Sequence, residues 1–274
     1  NDKSNMINSI TSQPYGAVYL TDNEATNVNR IFSSRLSYNK GAMVLNMLRL
    51  KMGDVLFFQG IKNYLADVNL AYKYAATSDL QTHLEAVYGS SLTEFFNDWV
   101  YNQGYPTYTI TAQNWGSGQA KVVVNQTQSH ASVSYFEMPL PIRFTGAGGQ
   151  TFDTTVNNTF NNQTFIVSVP FSITGVQFDP EKDIISKNNT VTLGNDTFEV
   201  EKAIAIYPNP VTDGIHIQMP STIEIEKVRL FNNIGQMVLE SNALNFSVAT
   251  LSTGVLYAEI QTSQGTFHKK IIKN

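Results

Sequence analysis

The sequence predicts a multidomain α + β protein, in which an N-terminal all-helical unit is followed by two antiparallel β-sandwich domains. Apolar residues recur at helical spacing from about residue 23 to residue 104. After Tyr105-Pro106 the chain changes to short segments rich in Val, Thr, Phe and Tyr, separated by Gly, Asn and Ser. With 274 residues, 42% of them hydrophobic, the chain can bury more than one core.

The helical unit is predicted over residues 1–105. One helix has its apolar residues on a single face from Val44 to Met52, and Gly53 follows as a stop signal. A second helix repeats this pattern from Phe57 to Leu65. No internal repeat with a fixed period is visible along the chain.

Two β-rich stretches follow, and each is predicted to be an antiparallel sandwich: residues 106–187 and residues 203–274. The first contains YTITAQNW, QAKVVVNQ and QTFIVSV, and the second contains GIHIQM, KVRLFN and GVLYAEIQ. Short alternating strands between turn residues are typical of such folds. The polar, Asn-rich residues 188–202 are predicted to be a linker.

Composition excludes several classes of function. The formal net charge is -4 with only 15% charged residues and no run of one sign, so we expect no nucleic-acid partner. There is no cysteine, hence no disulfide or thiolate site. No apolar run approaches the roughly 18 residues of a membrane span. The start NDKSNMINS has neither an initiator Met nor a signal-peptide core, which suggests a mature product or an excised fragment.

No metal site is predicted from the residues themselves. The chain has no HExxH motif, and its four histidines are scattered, which predicts structural or solvated roles. They are His83, His130, His216 and His268. No GxSxG motif marks a nucleophilic serine either. Residue patterns alone therefore point to no catalytic centre, and they do not identify any substrate-binding residue.

Two segments nevertheless resemble the end of the catalytic domain of the aminopeptidase N family, the gluzincin zinc metallopeptidases. They are YNKGAMVLNMLRLKMGDVLFFQGIKNYL, residues 38–65, and TSDLQTHLEAVYGSSLTEFFNDWVYNQGYPTYTI, residues 77–110. The β domain ending at VQFDPEKDIISKN resembles the domain that follows the catalytic domain in many members. The resemblance implies a zinc metallo-aminopeptidase that acts on peptide substrates.

Within this resemblance, Tyr38 matches the family tyrosine that hydrogen-bonds the tetrahedral oxyanion during peptide hydrolysis. A phenol stays protonated at neutral pH, so it can donate to developing negative charge. The small residues Gly41 and Ala42 that follow would let another segment approach closely. Tyr38 is therefore the one predicted catalytic residue, against the alternative of a purely structural tyrosine.

The resemblance also implies that the chain is incomplete as an enzyme. In the family the HExxH helix, the second zinc-ligating glutamate and the substrate-amine motif precede the tyrosine, and only 37 residues precede Tyr38 here. We therefore expect a C-terminal fragment that is inactive alone and holds no zinc. The cofactor of the full-length enzyme would be zinc, and the fragment's partner would be the missing N-terminal catalytic half.

Residues 203–274 resemble the C-terminal sorting domain of cargo carried by the type IX secretion system of Bacteroidetes. The matching segments are IAIYPNPVTDGIHIQM, VRLFNNIGQMVLES and LSTGVLYAEIQTSQGTFHKKIIKN. The resemblance implies a partner in the secretion machinery, reached through the periplasm, and a secreted or cell-surface location.

A second class of function stays open at this point. The two β units could instead form a non-catalytic extracellular binding or adhesion module, with the helical unit as a degenerate peptidase remnant. Exposed aromatic side chains on a sheet would favour this alternative, and Tyr135 and Phe136 are its candidates. A third reading treats residues 203–274 as an export tag on a scaffold, whatever the remainder does.

Overall fold

A computed structural model of the chain describes residues 2–115, 118–194, 203–221, 223–263 and 265–274. The chain divides into two compact units: Asn1–Ala112 with Lys121–Leu193, and Gln113–Ala120 with Gly194–Asn274. Helices come first and several antiparallel sheets follow, so the predicted mixed α + β architecture is confirmed. The finer division into one helical and two sandwich domains stays a prediction.

The helical part of the first unit contains six described α-helices. They are α1 (Asp2–Ile10), α2 (Val28–Ile31), α3 (Gly41–Met52), α4 (Asp54–Ala66), α5 (Thr77–Tyr88) and α6 (Thr93–Phe96). A 3-10 turn covers Glu24–Thr26, and two π-helical turns cover Ser34–Lys40 and Asn97–Tyr101. The predicted stop at Gly53 is present, with φ at 77°. At the end of α5, Gly89 adopts the left-handed conformation that caps many helices.

Two sheets complete the first unit. Their strands are β1 (Pro106–Asn114), β2 (Gln119–Gln128), β3 (Met138–Gly146), β4 (Thr151–Asn158), β5 (Gln163–Ser168), β6 (Ile173–Phe178) and β7 (Thr190–Leu193). One sheet has the order β5-β2-β1-β7 and the other the order β4-β3-β6. Inward side chains alternate along the long strands, as half-buried strands require.

The helices and the two sheets of this unit share a core. The rings of Trp99, from the second π-helical turn, and Phe136 lie 4.5 Å apart. Tyr108 of β1 and Phe178 of β6 bring the two sheets together, with ring centroids 5.0 Å apart. Trp99, Phe136 and Tyr108 are fully buried. The second π-helical turn is thus packed on the β part of this unit.

The linker predicted over residues 188–202 needs a correction. Its residues Thr190–Leu193 form β7, which pairs in parallel with β1, so the sheet is not purely antiparallel. The Asn189 side chain accepts a hydrogen bond from the backbone N–H of Tyr108 at 2.9 Å. This bond holds the residue before β7 against β1. Asparagine-rich sequence suggested a loop, but the Asn189 side chain satisfies a backbone donor of the sheet. Residues 195–202 of the predicted linker lie outside the described residues.

The second unit contains two further sheets. Their strands are β8 (Ala205–Tyr207), β9 (Gly214–Gln218), β10 (Ile225–Phe231), β11 (Met237–Ser241), β12 (Asn245–Ser247), β13 (Gly254–Thr262) and β14 (Gly265–Lys273). The orders are β11-β10-β13-β14 and β12-β9-β8, and the described pairings between these strands are antiparallel. An isolated parallel bridge joins Val211 to Lys273. Alternate aliphatic side chains such as Val228, Leu230 and Ile260 form a common core with Ile215 and Ile217. This unit has a hydrophobic core of its own.

Candidate active site

Tyr38, the predicted catalytic residue, lies in the π-helical turn Ser34–Lys40. Its backbone N–H donates to the carbonyl of Ser33, five residues back, at 3.2 Å. The N–H of Gly41 likewise donates to the carbonyl of Leu36 where α3 begins. π-helical turns are rare and frequently occur at functional sites. The local backbone therefore marks this segment independently of the tyrosine side chain.

The phenol of Tyr38 stands at the rim of an open cavity of about 590 Å³. Tyr38 is 56% exposed. The cavity lining is mostly aliphatic and comes from α3, α4, α5 and the loop that contains Val18, while Ser37, Tyr64 and Thr77 supply further hydroxyls. A Cβ atom added at Gly41 would meet nothing within 4 Å. Space for a ligand or another chain segment therefore exists beside the phenol.

Three cations spaced five residues apart hold the loop Tyr15–Tyr19 beside this cavity. We call Arg30, Arg35 and Lys40 the cation clamp. Their side chains donate to backbone carbonyls of the loop at 2.7 to 3.0 Å. The acceptors are the carbonyls of Tyr15, Gly16, Ala17 and Tyr19. Because Val18 of this loop lines the cavity, the clamp sets one of its walls.

Lys40 is the buried member of the clamp, with 1% exposure. Its Nζ donates to the carbonyl of Gly16 at 3.0 Å and to the carbonyl of Asn102 at 3.4 Å. Asn102 directly follows the second π-helical turn, Asn97–Tyr101. One ammonium group therefore connects three segments: the turn that carries Tyr38, the loop Tyr15–Tyr19, which we call the wall loop, and the end of the other π-helical turn.

The electrostatic setting of Lys40 is unfavourable to its charge. Burial lowers the pKa of the Lys40 ammonium to about 8, and the guanidinium groups of Arg35 and Arg30 act in the same direction. Burial also lowers the pKa of Arg35. The carbonyl dipoles are the groups that offset this cost. Sequence reasoning missed Lys40. The only sequence feature that could have indicated the cation clamp was the spacing of five residues from Arg30 to Arg35 and from Arg35 to Lys40.

Asp98, in the second π-helical turn, is a second buried ionisable group that sequence reasoning did not single out. It is 6% exposed, and its Oδ2 atom has no hydrogen-bond partner in the described part of the chain. Burial raises the pKa of the Asp98 carboxyl to about 7, and the nearby carboxylates of Glu94 and Glu137 act in the same direction. A protonated Asp98 suits this position because a neutral carboxyl costs less to bury than a carboxylate.

The four histidines do not come together. Each has its own local partner. These partners are Asp67 and Asp79 for His83, Ser132 for His130, Asn245 for His216 and Glu259 for His268. Across the described ranges, no three His, Cys, Asp or Glu side chains are placed to hold a metal ion. Those residues offer no ligand set for zinc, and we derive no step through a metal.

Tyr135 and Phe136, the candidates for an aromatic binding platform, do not form one. Phe136 is fully buried against Trp99. The Tyr135 side chain is partly buried, and its hydroxyl donates to the Asn158 side chain at 2.5 Å. One ring lies in the core and the other is partly buried and hydrogen-bonded, so the pair does not present both rings on one surface. The adhesion alternative thus loses its named candidates.

Comparison with known proteins addresses the two sequence resemblances directly. Residues 3–99 match the peptidase family M1 domain, and residues 205–274 match the secretion system C-terminal sorting domain. Both resemblances are confirmed. The M1 match contains Tyr38, the cation clamp and Asp98, and the sorting-domain match covers the strands of the second unit.

Individual relatives of the M1 segment are aminopeptidases. The chain is 34% identical over 101 residues to leucyl aminopeptidase of Saccharolobus solfataricus, covering 37% of this chain and 12% of that protein. It is 30% identical over 141 residues to membrane alanyl aminopeptidase of Heliothis virescens, covering 47% and 14%. It is 36% identical over 84 residues to aminopeptidase M1 of Arabidopsis thaliana, covering 31% and 9%. The chain thus spans about a tenth of the length of these relatives.

A solved structure supports the fold. Legionella pneumophila aminopeptidase A, in complex with aspartic acid, matches with a TM-score of 0.53 at 12% identity, over 68% of this chain and 20% of that one. At this identity the likeness concerns the fold alone. Among the helices that the structure describes, none is both long and apolar enough to cross a membrane.

Proposed function

We propose that this chain is the C-terminal part of a secreted zinc aminopeptidase of family M1, which hydrolyses N-terminal peptide bonds. The observation that carries the proposal is the placement of Tyr38: it falls inside the family match and its phenol is exposed at the rim of an open cavity. The HExxH segment, the zinc and the general base would come from another part of the peptidase domain.

In this proposal Tyr38 donates a hydrogen bond to the oxygen of the scissile carbonyl. The oxygen gains negative charge as the tetrahedral intermediate forms, so the bond strengthens in the transition state. A donor fixed on a hydrogen-bonded backbone turn needs little reorganisation at that moment. Enclosure of this open cavity by the remainder of the peptidase domain would lower the local dielectric, which increases the energetic value of the bond.

Exposed apolar side chains support a missing catalytic half as the partner of the helical unit. Several large apolar residues of the first unit are exposed although they belong to helices or adjoin them. They include Val28, Phe32, Leu45, Phe58 and Leu65. Where such side chains form a contiguous patch, the surface commonly marks an interaction site. The remainder of a peptidase domain would bury it and would complete the walls of the cavity at Tyr38.

Each predicted domain has its own role in the proposed function. Residues 1–105 would end the peptidase domain, residues 106–187 would form its β-sandwich, and residues 188–202 would lead to the sorting domain at 203–274. The sorting domain would address the type IX secretion machinery, so the mature enzyme would act on peptides outside the cell or at its surface. The match over residues 205–274 supports this export route.

The enzyme proposal is tested by adding the missing half. The 274-residue chain alone should bind no stoichiometric zinc and should not cleave aminoacyl reporters, since a catalytic zinc site normally needs three protein ligands. A longer protein that includes an upstream HExxH segment should contain one zinc per chain and release N-terminal residues. Tight zinc in the 274-residue chain, or an inactive longer protein with zinc bound, would contradict the proposal.

The export proposal has a separate test. In a host with type IX secretion, the protein should reach the medium or the cell surface, and a version truncated after Asn195 should stay in the periplasm. A version carrying exposed-residue substitutions in the first unit, such as Lys62→Met, serves as the matched control for export. Equal export of the full and truncated forms would refute the sorting role.

A further inference from the structure

We propose that Lys40 is a positioning residue, whose buried ammonium holds the π-helical turn that presents Tyr38 and the wall loop Tyr15–Tyr19 in one fixed arrangement. The inference has a catalytic consequence, an effect on kcat through Tyr38, and this consequence rests on the proposed function. Its structural consequence, the fixed arrangement of the turn and the loop, does not rest on the proposed function because it concerns contacts within the first unit of the chain.

The contacts of Lys40 join segments that are distant in sequence. Its acceptors lie 24 residues before it, at Gly16, and 62 residues after it, at Asn102. Lys40 itself is the last residue of the turn Ser34–Lys40, two positions after Tyr38. Movement of the ammonium would therefore move the end of the turn that carries the phenol.

Further hydrogen bonds connect the same segments and depend on the same arrangement. The N–H of Gly16 donates to the side-chain oxygen of Gln103 at 2.8 Å, and the N–H of Tyr19 donates to the carbonyl of Val100 at 2.9 Å. Both acceptors flank Asn102. Two direct bonds thus attach the wall loop to the end of the second π-helical turn. Lys40, which lies in the same turn as Tyr38, bonds to both of these segments.

A lysine at this position is unfavourable for the free energy of folding. Burial of an ammonium carries a desolvation penalty, and an apolar side chain of similar length would avoid it. The charged groups that act on Lys40 are the cations Arg35 and Arg30, and Arg30 is paired with Glu24 at 3.1 Å. What Lys40 provides, and an apolar residue cannot, is a donor for carbonyls from two separate segments. The geometry therefore favours positioning over packing.

Amide hydrogen exchange on the 274-residue chain tests the structural consequence. In Lys40→Met, protection of the amides of Gly16, Tyr19, Tyr38 and Gly41 should fall at least tenfold, because their bonds depend on the joined segments. The amide of Gly89, which donates to Glu85 at the end of α5, should keep its protection. Lys62→Met, the same change at an exposed lysine of α4, should leave all five amides unchanged. Uniform loss at every amide, or no loss at the first four, would overturn the inference.

A measurement on the unmodified chain covers the case in which Lys40→Met does not fold. With lysine labelled by nitrogen-15, a bound buried ammonium exchanges its protons slowly enough to give a signal at low temperature, whereas solvated ammonium groups do not. Lys273 is also buried and can give a signal of its own, so the expected result is a signal that is present in the unmodified chain and absent from Lys40→Gln. Its absence from the unmodified protein would overturn the inference.

Activity then separates the two proposals. In a longer, zinc-loaded protein, Lys40→Met should lower kcat at least tenfold while KM changes less than threefold, because a misplaced Tyr38 acts in the transition state. If the unmodified longer protein has no peptidase activity but the exchange pattern is as expected, the proposed function fails and the positioning role stands. Unchanged kcat in an active protein would remove the catalytic part of the inference.

Discussion

The substitution Lys40→Met should change how the stability of the chain depends on pH. In the folded chain the pKa of Lys40 is lowered from 10.5 to about 8 by burial. Between these two values the unfolded chain binds more protons than the folded chain, so the free energy of unfolding rises with pH. Below pH 8 the burial penalty is fully present, and it disappears as pH approaches 10.5.

The size of the effect follows from the two pKa values. A pKa difference of this size corresponds to about 3 kcal/mol in full, of which about 2 to 3 kcal/mol falls between pH 7 and pH 10. At pH 7, Lys40→Met removes this penalty but also removes two hydrogen bonds from a charged donor, each contributing about 1.5 to 3 kcal/mol. These terms oppose each other and nearly cancel at the lower end of the hydrogen-bond range, so the slope with pH is a sharper observable than the stability at any one pH.

Urea unfolding monitored by tryptophan fluorescence is a suitable assay. Trp99 is fully buried in the second π-helical turn, close in sequence to Asn102, so its emission reports on this part of the first unit. The free energy of unfolding of the unmodified chain, minus that of Lys40→Met, should become more favourable by about 2 to 3 kcal/mol from pH 7 to pH 10. Lys62→Met should show no such slope. A flat or falling difference for Lys40→Met would refute the burial argument.

Four further outcomes are expected. In a longer, zinc-loaded protein, Tyr38→Phe should lower kcat by roughly 10²- to 10³-fold with little change in KM, as steady-state kinetics on an aminoacyl reporter would show; near-normal kcat would make the tyrosine structural. Because the pKa of Asp98 is raised to about 7, its contribution to stability falls as pH rises from about 4 through 7, and calorimetry should show that Asp98→Asn removes this decline. Gly16→Ala should lower the free energy of unfolding by about 1 to 3 kcal/mol, because φ is +107° and a Cβ would lie 2.6 Å from a methyl group of Leu36. At Gly41 an added Cβ would meet nothing within 4 Å, so Gly41→Ala should leave the free energy of unfolding unchanged or raise it. Chemical denaturation measures both variants. Limited proteolysis followed by mass spectrometry should spare Ser186–Leu193, since Ser186 is buried and β7 is paired; early cuts there would contradict the pairing.

Much of this protein could be predicted from linear sequence because the relevant signals are local. Helical periodicity, turn residues and alternating strands lie within a few residues of one another, and they gave the order of helices and sheets. Tyr38 could be proposed as a catalytic residue for a similar reason, since its motif YNKGA is contiguous. The two family resemblances rest on such contiguous segments as well, and the comparisons confirmed both.

Features that depend on distant segments were decided only by the tertiary structure. The strand β7 forms because β1, some eighty residues earlier, offers it an edge, and no local pattern shows that edge. From the sequence, Phe136 was a candidate for an exposed aromatic binding surface. In the fold it is a core residue because Trp99 packs on it. The pKa of Asp98 is raised first by burial, to which the carboxylate of Glu137, distant in sequence, adds, and neither effect is visible in the local sequence.

The cation clamp shows the physical reason for this division most clearly. Lys40 binds the carbonyls of Gly16 and Asn102, and every residue has such a carbonyl. Because backbone acceptors carry no side-chain identity, sequence can show that a lysine is present but not which carbonyls surround it. Chain folding alone determined that this lysine is buried, that its pKa is lowered, and that it connects the turn of Tyr38 to the wall of the cavity.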